Sequence, residues 1–150
     1  MKWFKKLGLT ISMVALTSGV FAAAASAYDN WESNDTLATA TQMPTYYQTD
    51  PWGGQYAVFE STSYISTPTD VDYYKLIPFA SSQIRLTSAL GMDYDFEVYD
   101  QNGTLIATST STSQVEKVTF TTAAVRYVKV YGKNGQYNSD RKKPYVLHVA

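Results

Sequence analysis

The side chains of this 150-residue chain that could do chemistry are few, and their spacing points to ligation before catalysis. Asp29-Asn30-Trp31-Glu32-Ser33-Asn34-Asp35 packs hard oxygen donors into one irregular stretch, and Asp70-Val71-Asp72 adds two carboxylates ahead of a strand-like run. Ca2+ takes about six to eight oxygens from carboxylates, amides and backbone carbonyls. Glu32, Asn34, Asp35, Asp70 and Asp72 are therefore candidate calcium ligands, with Asn30 as a further neutral donor. The same residues support a plainer reading, in which Asn34 or Asp35 caps a short helix near 35–40 and Asp70 and Asp72 flank a turn.

Catalytic constellations are thin by comparison. The chain has no cysteine, which removes thiol catalysis, thiolate metal sites and disulfides. His148 is the single histidine and sits in the last strand-like run, between Leu147 and Val149; the expectation is an exposed edge histidine rather than a base. Asp93, Asp95 and Glu97 alternate along a strand-like run, about 7 Å apart on one face, the spacing of a possible glycosidase pair. Acids on the wet face of a sheet are normally just solvated, and no G-x-S-x-G, phosphate-cradling loop or H-E-x-x-H occurs in the sequence. The expectation is a protein that is not an enzyme, a small hydrolase being the weakest class. A net charge of −1 gives no support for a nucleic-acid partner, which would need a clustered basic face.

Residues 1–27 read as a secretory signal peptide. Lys2, Lys5 and Lys6 precede an apolar stretch from Leu7 to about Val20, and Ala25-Ser26-Ala27 forms a small-x-small cleavage site. A membrane anchor is the rival, but Thr10, Ser12, Thr17 and Ser18 interrupt the stretch and no basic stop-transfer cluster follows. The mature chain is then 28–150, a single domain secreted to the extracellular space with no membrane contact after cleavage. Losing three lysines leaves nine basic against thirteen acidic groups, a net −4. Such a leader on a cysteine-free chain reads as bacterial.

The elements that must position these residues are strands. Val71–Ile77, Ile84–Ala89, Tyr94–Tyr99, Thr104–Thr108, Val115–Thr121, Val125–Tyr131 and Tyr145–Val149 are short runs rich in Val, Ile, Thr, Tyr and Phe. Tyr94, Phe96 and Val98 oppose Asp93, Asp95 and Glu97; Val118 and Phe120 oppose Lys117 and Thr119; Val128 and Val130 oppose Lys129 and Tyr131. One greasy and one wet face suits antiparallel sheets packed on each other. Asn102-Gly103 predicts a type I′ hairpin turn, and Lys133-Asn134-Gly135 marks another turn. The pattern predicts an all-β, jelly-roll-type antiparallel β-sandwich. Thirteen tyrosines stand out, and Tyr73, Tyr99, Tyr127 and Tyr131 could form an outward binding face for an extended protein fibre or polysaccharide. β-propensity alone would also place tyrosines there as cover for the sandwich.

Glu32-Ser33-Asn34-Asp35-Thr36, Ala38 and Ala40, Asp70-Val71-Asp72-Tyr73-Tyr74, Tyr94 to Gly103, Tyr127 to Gly132 and Tyr145 to Val149 together carry a resemblance. In this order the chain resembles the bacterial pre-peptidase C-terminal (PPC) domain family, related in fold to the collagen-binding domain of clostridial collagenases. The resemblance implies a jelly-roll, non-catalytic module of the kind appended to secreted peptidases. It further implies that Glu32, Asn34, Asp35, Asp70 and Asp72 supply calcium ligands. Two departures stand against the collagen-binding relatives: Asn30 where they have an acid, and Lys129 between Tyr127 and Tyr131 where they alternate tyrosines. Asn30 should weaken a calcium site, and Lys129 argues against collagen as the ligand. The resulting expectation is a secreted, calcium-binding module for an extracellular polymer or protein. The alternative is a regulatory partner, inhibitor or folding aid, of a separately encoded secreted peptidase. The exported form is expected to begin at Tyr28; intact-mass analysis of secreted protein checks this, and retention of residues 1–27 would refute it.

Overall fold

The computed structural model describes residues 33–78, 82–139 and 142–150. The leader, the cleavage site, Asn30 and Glu32 lie outside the described residues. Ten strands follow in order: β1 (Thr41–Gln42), β2 (Thr45–Thr49), β3 (Gln55–Ser63), β4 (Val71–Leu76), β5 (Ser82–Thr87), β6 (Tyr94–Asp100), β7 (Leu105–Ser109), β8 (Val115–Phe120), β9 (Arg126–Gly132) and β10 (Tyr145–Val149). They form two five-stranded sheets, β1-β4-β9-β6-β7 and β2-β3-β10-β5-β8. β1 joins β4 in parallel, and the other pairings are antiparallel. The order β4-β9-β6-β7 over β3-β10-β5-β8 is that of a jelly roll.

The seven expected strand runs all form, and buried positions alternate with more open ones along β4, β5, β9 and β10. Tyr94, Phe96 and Val98 meet Val128 and Val130 across β6 and β9, and Ile84, Leu86, Leu147 and Phe59 face them from the other sheet, all buried. The strands that composition did not announce are β1 to β3. Every residue of β2 except Thr45 is exposed, so it carries no apolar stripe to read, and the inward positions of β3 include Ser61 and Ser63.

Three local expectations are corrected. The helix expected near 35–40 is a single 3-10 turn over Leu37–Thr39, and its cap is Thr36, whose hydroxyl accepts from the Thr39 N–H while the Thr39 hydroxyl accepts from the Thr36 N–H. Asn34 is unavailable for capping because its backbone and side chain are bonded to Tyr73. The Asn102-Gly103 turn is not type I′: only Gly103 has positive φ (80°), and the Asp100 carboxylate accepts from the N–H groups of Asn102 (2.8 Å) and Thr104 (2.9 Å). That is a type I turn closed by a left-handed glycine. Asp50-Pro51-Trp52-Gly53-Gly54 repeats the device, with Asp50 accepting from Trp52 and Gly54 at 2.9 and 2.7 Å and Gly53 at φ 87°. Third, β10 lies between β3 and β5, so His148 is no edge residue; its Nδ1 stands 3.3 Å from Glu60 on the outward side.

The core has a polar seam. Tyr74, Tyr94 and Tyr145 are completely buried. The Tyr74 and Tyr145 hydroxyls lie 2.7 Å apart, and Tyr145 donates to the buried Asp72 carboxylate, so Tyr74 must donate to Tyr145. Each hydroxyl has one proton, which fixes the direction of the chain. Burial pushes the Tyr145 hydroxyl well above its ordinary pKa, and the adjacent Asp72 charge adds to it. Tyr145→Phe should cost about 2–3 kcal/mol in urea unfolding, because it takes a donor from a buried carboxylate. Tyr74→Phe, removing one neutral bond, should cost about 1 kcal/mol. Equal losses for the two variants would overturn this ordering.

Candidate functional site

The oxygen-rich segment docks on β4. Ser33 takes a left-handed conformation (φ 86°) that turns the chain inward, and Asn34 follows as a buried residue. The Asn34 carbonyl accepts from the Tyr73 N–H at 2.9 Å, and its amide donates to the Tyr73 carbonyl at 3.5 Å. Its Oδ1 is buried with no hydrogen-bond donor. Asp72, one residue along the strand, points inward to Tyr145 instead of flanking an exposed turn. Asp70 closes the 66–70 turn by accepting from the Ser66 N–H at 2.5 Å, and Asp35 is exposed. Of the expected ligands, the fold therefore gathers Asn34 and Asp72 beside one strand and sets Asp70 at that strand's start.

No three Asp, Glu or His side chains converge on one point among the described residues. The chemistry of those present still fits a hard cation. A buried amide oxygen without a donor, next to a carboxylate strand, is an acceptor surplus that a cation balances and another acceptor does not. The negative field of Asp70 and Asp72 reaches Tyr94, whose hydroxyl is pushed up to about 12 chiefly by burial.

On the opposite side of β4 lies the tyrosine face. Pairing sets three outward rows across β4, β9 and β6: Val71–Tyr131–Asp95, Tyr73–Lys129–Glu97 and Lys75–Tyr127–Tyr99. All four expected tyrosines share this face and are half-buried. The Tyr73 and Tyr99 rings approach to 6.2 Å. Lys129 sits at the centre, 3.1 Å from Glu97 and 4.9 Å above the Tyr131 ring, and Lys75 lies 6.0 Å from the Tyr127 ring. Tyr99 donates to Glu97 at 2.5 Å. Burial first, and then this bond, hold the Tyr99 hydroxyl far above its ordinary pKa; Tyr131 is pushed up to about 12 by burial and nearby carboxylates. The surface is aromatic with a clamped ion pair at its middle, able to stack and to hydrogen-bond a ligand at once.

One end of this face corrects the sequence reading. Asp95 is not solvated but buried, 3% exposed. The chain doubles back so tightly after β9 that a Cβ on Gly132 would fall 1.6 Å from the Gln136 carbonyl oxygen. This reversal, with Asn134 at φ 53°, brings Lys133 over the sheet end. The Lys133 ammonium donates to the carbonyls of Thr110 and Ser111 at 2.8 and 2.7 Å and lies 3.5 Å from Asp93 and 3.7 Å from Asp95. Glu116, buried on β8, has both carboxylate oxygens without hydrogen-bond partners. Burial pushes the Asp95 carboxyl up to about 6; Lys133 opposes this, and Glu116 and Asp93 reinforce it. Sequence reasoning missed Lys133 and Asp50; the repeated Asp-x-x-Gly spacing was the signal for Asp50.

No family model matches the sequence, and no curated protein matches it. Several solved structures are similar, three of them as follows. One is the pre-peptidase C-terminal domain of a collagenase from Bacillus anthracis, 13% identical, covering 61% of this chain and 87% of that one, with a TM-score of 0.49. Another is Aeromonas hydrophila PliG, a periplasmic lysozyme inhibitor of g-type lysozyme, at 15% identity, 74% and 96% coverage and a TM-score of 0.41. The third is a family 6 carbohydrate-binding module from Clostridium cellulolyticum in complex with xylose, at 20% identity, 73% and 88% coverage and a TM-score of 0.26. The first of these is of the kind that the sequence resembles.

Asp95 makes stability depend on pH. Its carboxyl titrates near 6 when folded against 3.8 ordinarily, so the fold holds more protons between these values. Its contribution is then greatest below about pH 4, is lost as pH rises to about 6, and is flat above, a change on the order of 1–3 kcal/mol. Asp95→Asn should remove that slope. In urea titrations the variant should gain on the parent between pH 4.5 and pH 7; parallel curves would refute the assignment.

Proposed function

We propose that this chain is a secreted, non-catalytic β-sandwich module that binds an extracellular protein fibre or polysaccharide. The observation that carries it is the outward face of β4, β9 and β6, where Tyr73, Tyr99, Tyr127 and Tyr131 surround the Lys129–Glu97 pair. Tyrosines supply rigid contact area with polar tips, and the central pair adds charge complementarity for a partner's polar groups. The lone histidine, paired with Glu60 on the other sheet, adds nothing catalytic to this face.

Calcium is the second part of the proposal. Glu32, Asn34, Asp35, Asp70 and Asp72 hold the ion, with Asn30 as a weak further donor, and the ion fastens the N-terminal segment to β4. What supports it is the unpartnered Asn34 oxygen beside the Asp72 strand. The ion's part is structural: it neutralises clustered acceptors and orders the segment.

Two measurements check these readings separately. Retention of the purified protein on insoluble proteins and polysaccharides should fall at least about tenfold in Tyr127→Ala, as loss of a central aromatic contact predicts. Retention that ignores both Tyr127→Ala and Tyr73→Ala, or exclusive recovery of one soluble peptidase, would remove the polymer reading. Extracellular modules bind calcium with Kd about 10⁻⁴–10⁻³ M, and at roughly ten times Kd the gain is about 1.4 kcal/mol. That is a Tm rise of about 3–5 °C. Asp72→Ala and the exposed-site Asp35→Ala should abolish the rise, while Glu60→Gln keeps it; no rise in the parent protein would sink the calcium assignment.

A further inference from the structure

The second sheet carries an aromatic surface unconnected with the tyrosine face. β2 is the edge strand of its sheet and pairs only with β3. The ribbon they form exposes Tyr46 (56%), Tyr47 (72%), Trp52 (90%) and Tyr56 (45%). An indole that exposed at a rigidly closed turn covers nothing in its own fold. The turn is rigid because Asp50 accepts from Trp52 and Gly54, and a Cβ on Gly54 would fall 2.5 Å from that carboxylate.

Register sorts the rings. Gln48 lies opposite Tyr56 and Tyr46 opposite Val58, so Tyr46, Gln48 and Tyr56 share one side and Tyr47 takes the other. Tyr56 donates to Gln48 at 2.8 Å, which fixes the phenol. Tyr46 and Tyr56 therefore line one flank of the ribbon with the Gln48 amide between them, and the exposed Trp52 stands at its apical turn.

Charge selects the occupant. From Leu7 to Tyr74 the chain contains no lysine or arginine, and of the two acids in the ribbon Asp50 is turned into its own loop while Glu60 stands against His148 of β10. A polyanion, a nucleic acid or an anionic bilayer would meet no cation here. A neutral polysaccharide matches: its electropositive C–H faces stack on the negative faces of the rings, and its hydroxyls pair with Gln48 and tyrosine hydroxyls. We infer that the β2–β3 ribbon is a second binding site, taking a neutral polysaccharide chain along Tyr46 and Tyr56 and up to the apical Trp52. This site stands whether or not the tyrosine face of the first sheet binds anything.

Native gel electrophoresis of the purified protein through soluble neutral glucans, xylan and mannan tests it, with polygalacturonate, phosphatidylcholine vesicles and analytical ultracentrifugation as the other arms. At least one neutral polysaccharide should retard the protein. Trp52→Ala and Tyr46→Ala should each weaken that retardation by about tenfold, the loss expected of a central aromatic anchor. Tyr47→Ala, on the opposite flank of the ribbon, should retain it. The inference falls if no neutral polysaccharide retards the protein, or if retardation survives both Trp52→Ala and Tyr46→Ala. It also falls if Trp52→Ala instead abolishes vesicle binding or self-association.

Discussion

The buried hydroxyl of Tyr145 is where the two sheets are chemically joined. It belongs to β10 of one sheet and bonds to Asp72 and Tyr74, both on β4 of the other. Apolar contact between sheets tolerates sliding, but a directional bond to a buried carboxylate does not, since misalignment leaves a desolvated charge. The register of β4 against the second sheet is thereby specified, and so is everything arranged along β4. Because successive side chains alternate, Asp72 and Tyr74 face the seam while Tyr73 and Lys75 face outward. The backbone of Tyr73 simultaneously receives Asn34. One short strand thus sets the internal seam, the oxygen-rich segment and the tyrosine face within a few residues.

The two exposed aromatic surfaces differ in chemistry. On the first sheet, Lys129, Glu97 and Tyr99 form a partly desolvated ionic cluster inside a ring of phenols, so the face discriminates by charge as well as shape. On the ribbon of the second sheet Tyr46 and Tyr56 flank the neutral amide of Gln48. The end of the first face is closed by Lys133, whose ammonium is shared between two carbonyls and two aspartates. A cation so spread neutralises each carboxylate only partly, which is why burial still governs Asp95.

By itself the amino-acid order determined the fold class, seven of the strands, and the apolar face of β6, β8 and β9. These follow from period-two patterning, which acts locally: a strand with one apolar face has one way to place it. It also marked the four tyrosines as lying on a common outward side, since residues two apart on a strand share a face. What it could not decide was the surroundings of a side chain once placed. Asp95 reads as a solvated acid, yet a chain reversal at Gly132 puts Lys133 over it. Asp72 reads as a turn residue, yet it faces a tyrosine 73 positions away. β2 has no apolar stripe and exists because β3 supplies its hydrogen bonds. In each case the deciding partner comes from a distant segment, and burial, charge and hydrogen bonding belong to pairs of segments that only the packed sandwich brings together.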